Sequence, residues 1–126
     1  MVIQFEHPEL PTSLNKLYVP RQGRLILNKA GEAWKNRFLL ARGGLSAMEL
    51  SQIEIDTTLP YELELWFFFP EAELIHGSYG KNRSVKYRYR RVETSNMIKL
   101  AEDAISDLAG LPDRNNFSVS AHKRID

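Results

Sequence analysis

The chain has 126 residues, a net charge of +1 and no cysteine. That length fits one domain, residues 1–126, and buries about two-thirds of its unfolded surface, enough for a core without cross-links. The missing thiols exclude disulfides and thiolate metal centres. Apolar runs are short, the longest being Leu65–Pro70, against the roughly 20 residues of a membrane helix. Met1–Glu6 has no charged segment leading into an apolar one, so no secretory signal is expected and the default location is cytoplasmic.

The near-zero net charge hides a strong segregation. Residues 14–42 carry seven Lys or Arg against Glu32 alone, residues 43–80 carry seven Asp or Glu and no Lys or Arg, and Lys81–Arg91 holds six basic residues and no acid. Two basic blocks around an acidic one predict a two-sided molecule whose basic side attracts phosphate backbones. Solvated loops and strand edges, where Lys and Arg discourage aggregation, would give the same pattern.

In chain order, Val2–Glu6 reads as a short strand. Residues 7–23, with Pro8, Pro11, Pro20 and Gly23, read as a long loop of the kind that often carries function. Arg24–Leu27 is a second strand. From Asn28, Ala30, Ala33, Trp34, Phe38 and Ala41 recur at helical spacing until Gly43-Gly44 stops them. Residues 45–58 read as a helical turn followed by extended chain through Ile53 and Ile55. In Tyr61–Phe69 the odd positions form one apolar face. Glu62 and Glu64 start the other, which Trp66 and Phe68 turn apolar, as in an interior strand covered by helices. The same aromatics would also suit a base-stacking platform. Pro70 closes the strand.

His76–Lys81 reads as a glycine-containing turn, and Val85–Val92 as a strand hairpin-paired with Tyr61–Phe69. Thr94 or Ser95 caps a helix ended by Gly110 and Pro112, with Met97, Ala101, Ala104, Ile105 and Leu108 on its apolar face and Asn96, Lys99 and Asp103 on another. Phe117, Val119 and Ala121 alternate as a last strand. The expected fold is α/β, a mixed sheet with two main helices in the order β-β-α-β-β-α-β.

Two chemical motifs fail on spacing. Gly77-Ser-Tyr-Gly80-Lys81 is too short for a phosphate loop and leads into a strand. His7, His76 and His122 have no paired spacing, which argues against a zinc site or a Ser-His-Asp arrangement. A more coherent set begins at Glu93, where a strand gives way to a helix, the usual place for functional groups in α/β proteins. Lys99 and Asp103 follow one turn apart on one helix face, and Asp113 sits in the next loop, able to fold back toward the helix's flank. Carboxylates with a lysine suit phosphodiester cleavage: the acids hold a hard cation that activates water, and the lysine stabilises the charged transition state. The same residues also fit an exposed polar stripe with a Lys99–Asp103 pair.

The run Glu93-Thr-Ser95-Asn96-Met-Ile-Lys99-Leu-Ala-Glu-Asp103, then Gly110 and Asp113, resembles the core of the RusA family of Holliday junction resolvases. Pro11-Thr-Ser13-Leu-Asn15-Lys-Leu-Tyr18 resembles that family's opening, followed by Gly23-Arg24 and a helix containing Trp34, and Lys123 fits its closing strand. The resemblance spans most of the chain, with about residues 70–90 as an insertion. It implies a Mg²⁺- or Mn²⁺-dependent endodeoxyribonuclease that cuts four-way DNA junctions symmetrically as a homodimer, bacterial or phage-encoded, without a small-molecule cofactor or a membrane.

Carried over by position, Glu93 and Asp113 would be metal ligands, with Ser95 standing at a third ligand position, and Lys99 would act at the scissile phosphate. Arg90, Arg91, Lys86, Arg88, Asn15, Tyr18 and Lys123 would contact DNA, Asn15 and Tyr18 near the site or the dimer surface. Asn96 and Asp103 would support the site. The chain departs from the family in carrying Ser95 in place of an acid, Glu93 in place of aspartate, and one aspartate, Asp113, where the family shows a pair after the helix. Fewer fixed carboxylates imply weaker metal binding. The alternative expectation is a branched-DNA-binding protein that keeps the fold without cleavage. A third is a protein–protein adaptor using the acidic 43–80 stretch.

Overall fold

The computed structural model describes residues 1–11, 18–27, 29–70, 75–79, 85–89 and 95–126. Among the described residues six strands and three α-helices follow in the order β1 (Tyr18–Arg21), β2 (Arg24–Leu27), α1 (Lys29–Leu40), α2 (Ala47–Gln52), β3 (Tyr61–Phe69), β4 (Ile75–Tyr79), β5 (Val85–Tyr89), α3 (Ser95–Ala109) and β6 (Asn116–Ile125). Short 3-10 turns occupy Arg42–Gly44 and Asp113–Asn115. The α/β class stands, but the single mixed sheet expected is not seen among the described residues: the strands form three separate pairs, β3 with β6 in parallel and the other two antiparallel.

The expected order does not stand. Val2–Glu6 forms no strand. The alternation there serves packing on α1: Phe5 meets Phe38 edge-on at 6.1 Å, and the segment's tie to the fold is Glu6 N–H to the Gly43 carbonyl at 2.7 Å. A strand instead runs through Tyr18–Arg21 inside the expected loop, pairing Arg21 with Arg24 across Gln22-Gly23. Both turn residues have positive φ, 49° and 76°, which is what a two-residue hairpin turn needs to match strand twist. The prolines had argued for loop, yet Pro20 is tolerated on a short hairpin strand. His76 and Gly77, expected in a turn, lie in β4, whose partner is β5, so Val85–Tyr89 is not hairpin-paired with β3 among the described residues.

β3 supplies the strand side of the core, and β6 pairs along its edge without burying a residue. Their register sets Leu63 beside Val119, Leu65 beside Ala121 and Phe69 beside Ile125, and a bulge between Tyr61 and Glu62 leaves Phe117 as the extra residue. Leu65, Phe67 and Phe69 are buried with Met97, Leu100, Ala101 and Ala104 of α3 and with Trp34 and Phe38 of α1. The 3.6-residue period of α3 meets the two-residue period of β3 here. Met97, Leu100 and Ala104 have no exposed surface, so truncating Leu100 to Ala would cost about 2–5 kcal/mol. The second face of β3 is not an interior one: Trp66 and Phe68 are 46% and 53% exposed. The helices of the core cover one side of the strand and leave these two outside.

α1 ends as its glycines dictate, with φ of 61° and 85° at Gly43 and Gly44. α2, expected as a single turn, is capped by Ser46, whose hydroxyl accepts from Glu49 N–H at 3.0 Å while Glu49 returns a bond to Ser46 N–H at 3.1 Å. That is a reciprocal capping box, which satisfies two of the helix's otherwise unpaired donors. Among the described residues no helix is long and apolar enough to cross a membrane.

Candidate functional site

α3 carries the polar positions singled out in the sequence. Ser95 is its first residue and is exposed, so of the two expected caps it is already inside the helix; Thr94 lies outside the described residues. Asn96 and Asp103 are half-buried and Lys99 is exposed. Gly110 then turns left-handed at φ 68°, and Leu111 N–H reaches back to the Ser106 carbonyl at 3.1 Å. This is the glycine stop that closes the last turn of a helix. The Ser106 hydroxyl donates to the Leu111 carbonyl and tightens the reversal.

The reversal brings Asp113 back along the helix. Asn115 N–H donates to the Pro112 carbonyl at 3.0 Å, and its side-chain amide donates to the Thr57 carbonyl at 2.8 Å. The turn is thereby tied to the chain entering β3. Tyr61 opens β3 opposite Asn116, so Asp113 and Tyr61 stand at the same end of the parallel pair.

Electrostatics join these parts. The Glu102 carboxyl titrates above the ordinary range because it is desolvated and because Asp103 and Asp113 add negative charge, an effect Lys99 partly opposes. The Tyr61 hydroxyl is pushed up as well, first by burial and then by the charges of Asp113 and Glu102. Asp113 therefore acts on both Glu102 and Tyr61, while Lys99 and Asp103 act on Glu102. Perturbed groups of this kind gather at functional sites more often than elsewhere.

Of the expected site residues, Lys99, Asp103 and Asp113 each lie near enough to Glu102 for their charges to act on its carboxyl. Lys123 does not: it is exposed on β6 opposite Phe67, about seven positions past Asn116, or roughly 23 Å at the rise of a strand. Tyr18 lies on β1. Lys86 and Arg88 lie on β5, in register with Ser78 and His76 of β4. Glu93, Arg90, Arg91 and Asn15 lie outside the described residues. Glu102 and Tyr61 were missed by the sequence reading. The signal for Glu102 was its place three residues after Lys99, on the flank of the same helix face.

The donor set has the chemistry a divalent cation takes, oxygen ligands with surplus negative charge. Among the described residues no three His, Asp or Glu side chains form a metal-holding group. Compared with protein-family models, curated proteins and solved structures, the chain matches none.

Proposed function

We propose that this protein is a metal-dependent endonuclease that resolves four-way DNA junctions, acting as a homodimer with one site per protomer. The observation that supports the reading is the convergence on Glu102: Lys99, Asp103 and Asp113, three positions of the family pattern, all act on that one carboxyl. Asp113, Glu102 and Glu93 would hold Mg²⁺ or Mn²⁺, which when bound supplies an activated water and offsets charge on the leaving oxygen. Lys99 stabilises the negative charge that develops on the phosphoryl oxygens. Arg90 and Arg91, beside Glu93 in sequence, hold the flanking phosphates. Symmetric cutting of two strands needs two sites related by a two-fold axis, and the three strand pairs are read as parts of one mixed sheet in each bacterial or phage-encoded, cytoplasmic protomer.

The test is a labelled synthetic four-way junction incubated with Mg²⁺, with Mn²⁺ and with a chelator. Paired, symmetric, metal-dependent cuts are expected; absence of cleavage with tight, salt-sensitive junction binding would leave the non-catalytic branched-DNA-binding reading. That second reading draws on Ser95, which places an exposed hydroxyl where the family carries an acid. Ser95→Asp separates the two. A working nuclease should need less Mg²⁺ after the change, whereas an inactive binder should gain metal-dependent cleavage.

A further inference from the structure

The face of the β3–β6 pair turned away from α3 combines open aromatic surface with varied charge. Trp66 lies flat against the His122 ring, with centroids 4.2 Å apart and planes 17° apart. The guanidinium carbon of Arg124 stands 4.7 Å from the Trp66 centroid. Both partners come from β6, on one side of β3, yet nearly half of Trp66 remains exposed. Phe68, two residues along the same face and a strand repeat of about 7 Å away, is more exposed still.

Charge varies along the face. Glu62 and Glu64 occupy the end near Tyr61, His122 and Arg124 lie beside Trp66 and Phe68, and Asp126 follows beside Phe69. Glu64 Oε1 stands 3.5 Å from His122 Nε2, which leaves Arg124 as the cation nearest Phe68 in register. The Arg124 guanidinium also donates to the Lys123 carbonyl at 2.8 Å, so it is oriented as well as charged.

We propose that this face binds unpaired nucleobases of a single strand, stacked on Trp66 and Phe68, with the backbone phosphate met by Arg124. Exposed aromatics two residues apart on an open sheet face, next to a cation, are the arrangement that stacks splayed bases. Stacking fits better than a plain apolar contact because the indole is already fixed flat by His122 and Arg124. An incoming base therefore loses little of its gain to ordering the side chain. This site lies on a face other than the Glu102 cluster, and it stands or falls apart from any cleavage activity.

The test uses the full chain, short oligothymidylate and oligouridylate, and an abasic oligonucleotide of equal length and charge. Trp34 is 5% exposed, so quenching of tryptophan emission on titration reports Trp66. Quenching with the base-bearing strands and not with the abasic one is expected, whichever of DNA and RNA binds more tightly. Trp66→Leu should abolish the quenching and weaken anisotropy-measured affinity about 5- to 150-fold, and Trp66→Tyr should restore most of it. Equal binding of the abasic strand, or wild-type affinity in Trp66→Leu with an unchanged circular-dichroism spectrum, overturns the proposal. A dimer that Trp66→Leu dissociates, in sedimentation without nucleic acid, would overturn it too and assign the face to a second copy of the chain.

Discussion

Replacing Gly43 by alanine should destabilise the fold by more than any other glycine substitution among the described residues, and the size of the loss follows from its surroundings. A Cβ built there would lie 2.6 Å from Phe5 Cδ1, 2.9 Å from Leu108 Cδ2 and 3.0 Å from Phe38 Cζ. Three elements close on this one backbone position: the N-terminal segment, α3 and α1. The first cost is conformational, since φ of 61° is left-handed and costs a non-glycine residue roughly 1–2 kcal/mol. The second is overpacking, about 1–3 kcal/mol in a well-filled core. Alanine returns about 0.4–1 kcal/mol by restricting the unfolded chain, which leaves a net loss of about 2–4 kcal/mol.

With a urea m-value near 2 kcal/mol/M, the midpoint should fall by about 1–2 M. Gly110 supplies the control, because its φ is 68° but nothing lies within 4 Å of a Cβ added there. Gly110→Ala carries the conformational cost alone, and the difference between the two variants isolates the packing. Equal midpoints for the two, measured by circular dichroism under the same conditions, would refute the account of Gly43 as the point where three elements meet.

Asp113→Asn should leave junction binding intact and reduce cleavage by at least ~10²-fold, a scale typical of losing one charge-stabilising group; a fully active variant removes Asp113 from the site. Glu102→Gln should also reduce cleavage and raise the Mg²⁺ concentration needed, and unchanged metal dependence would reduce Glu102 to a bystander. Arg90→Ala with Arg91→Ala should weaken binding to junctions of every sequence and flatten the salt slope by roughly one to two units, whereas an unchanged slope would assign the basic run to solubility. His7 gives a pH prediction. Burial lowers its pKa below 6.5, and its ring stacks on Trp34 at 4.3 Å while Nδ1 accepts from Glu9 N–H at 2.9 Å. Below pH 6.5 the unfolded chain takes the proton first, so stability is lost as pH falls from there through the lowered folded value. His7→Phe should remove that part of the loss of urea midpoint between pH 7.5 and 5.5. An identical pH dependence in the variant would contradict it. The comparison must be with wild type, because the raised Glu102 carboxyl works in the opposite sense above its ordinary range.

What the sequence made legible was what periodicity governs. α1, β3, α3 and β6 were readable because each repeats apolar residues over enough turns or pleats, and because Gly43-Gly44, Pro70 and Gly110 mark their ends. β1 and β4 were hidden by composition: Pro20 and Gly77 signal turns, but both strands sit in two-stranded hairpins that tolerate such residues. Val2–Glu6 had the alternation of a strand and lacked a partner edge, so aromatic contacts with α1 replaced a ladder. On the site, helical spacing linked Lys99 to Asp103. The sequence allowed Asp113 to fold back toward the flank of the helix, but it did not single out Glu102 as the carboxyl whose titration Asp113 affects. Trp66 and Phe68 looked buried because a run of aromatics normally is; that helices line one side of β3 is a property of the assembled layers.

The parallel partnership of β3 and β6 also sets a time order on folding. Paired residues such as Glu62 and Ser118 are about 55 positions apart, with a hairpin and a helix between them, so no local turn can bring the two strands together. The entropy of closing that loop must be met before the first rung of the ladder forms, and such long-range pairing slows folding relative to a helical chain of equal size. α1 and α3 can form and dock first, offering a surface onto which β3 settles by its odd-numbered side chains. Until β6 arrives, β3 presents an unpaired edge flanked by Trp66, Phe67, Phe68 and Phe69. The glutamates at its other end then act as gatekeepers, keeping the waiting strand from pairing with that of another chain.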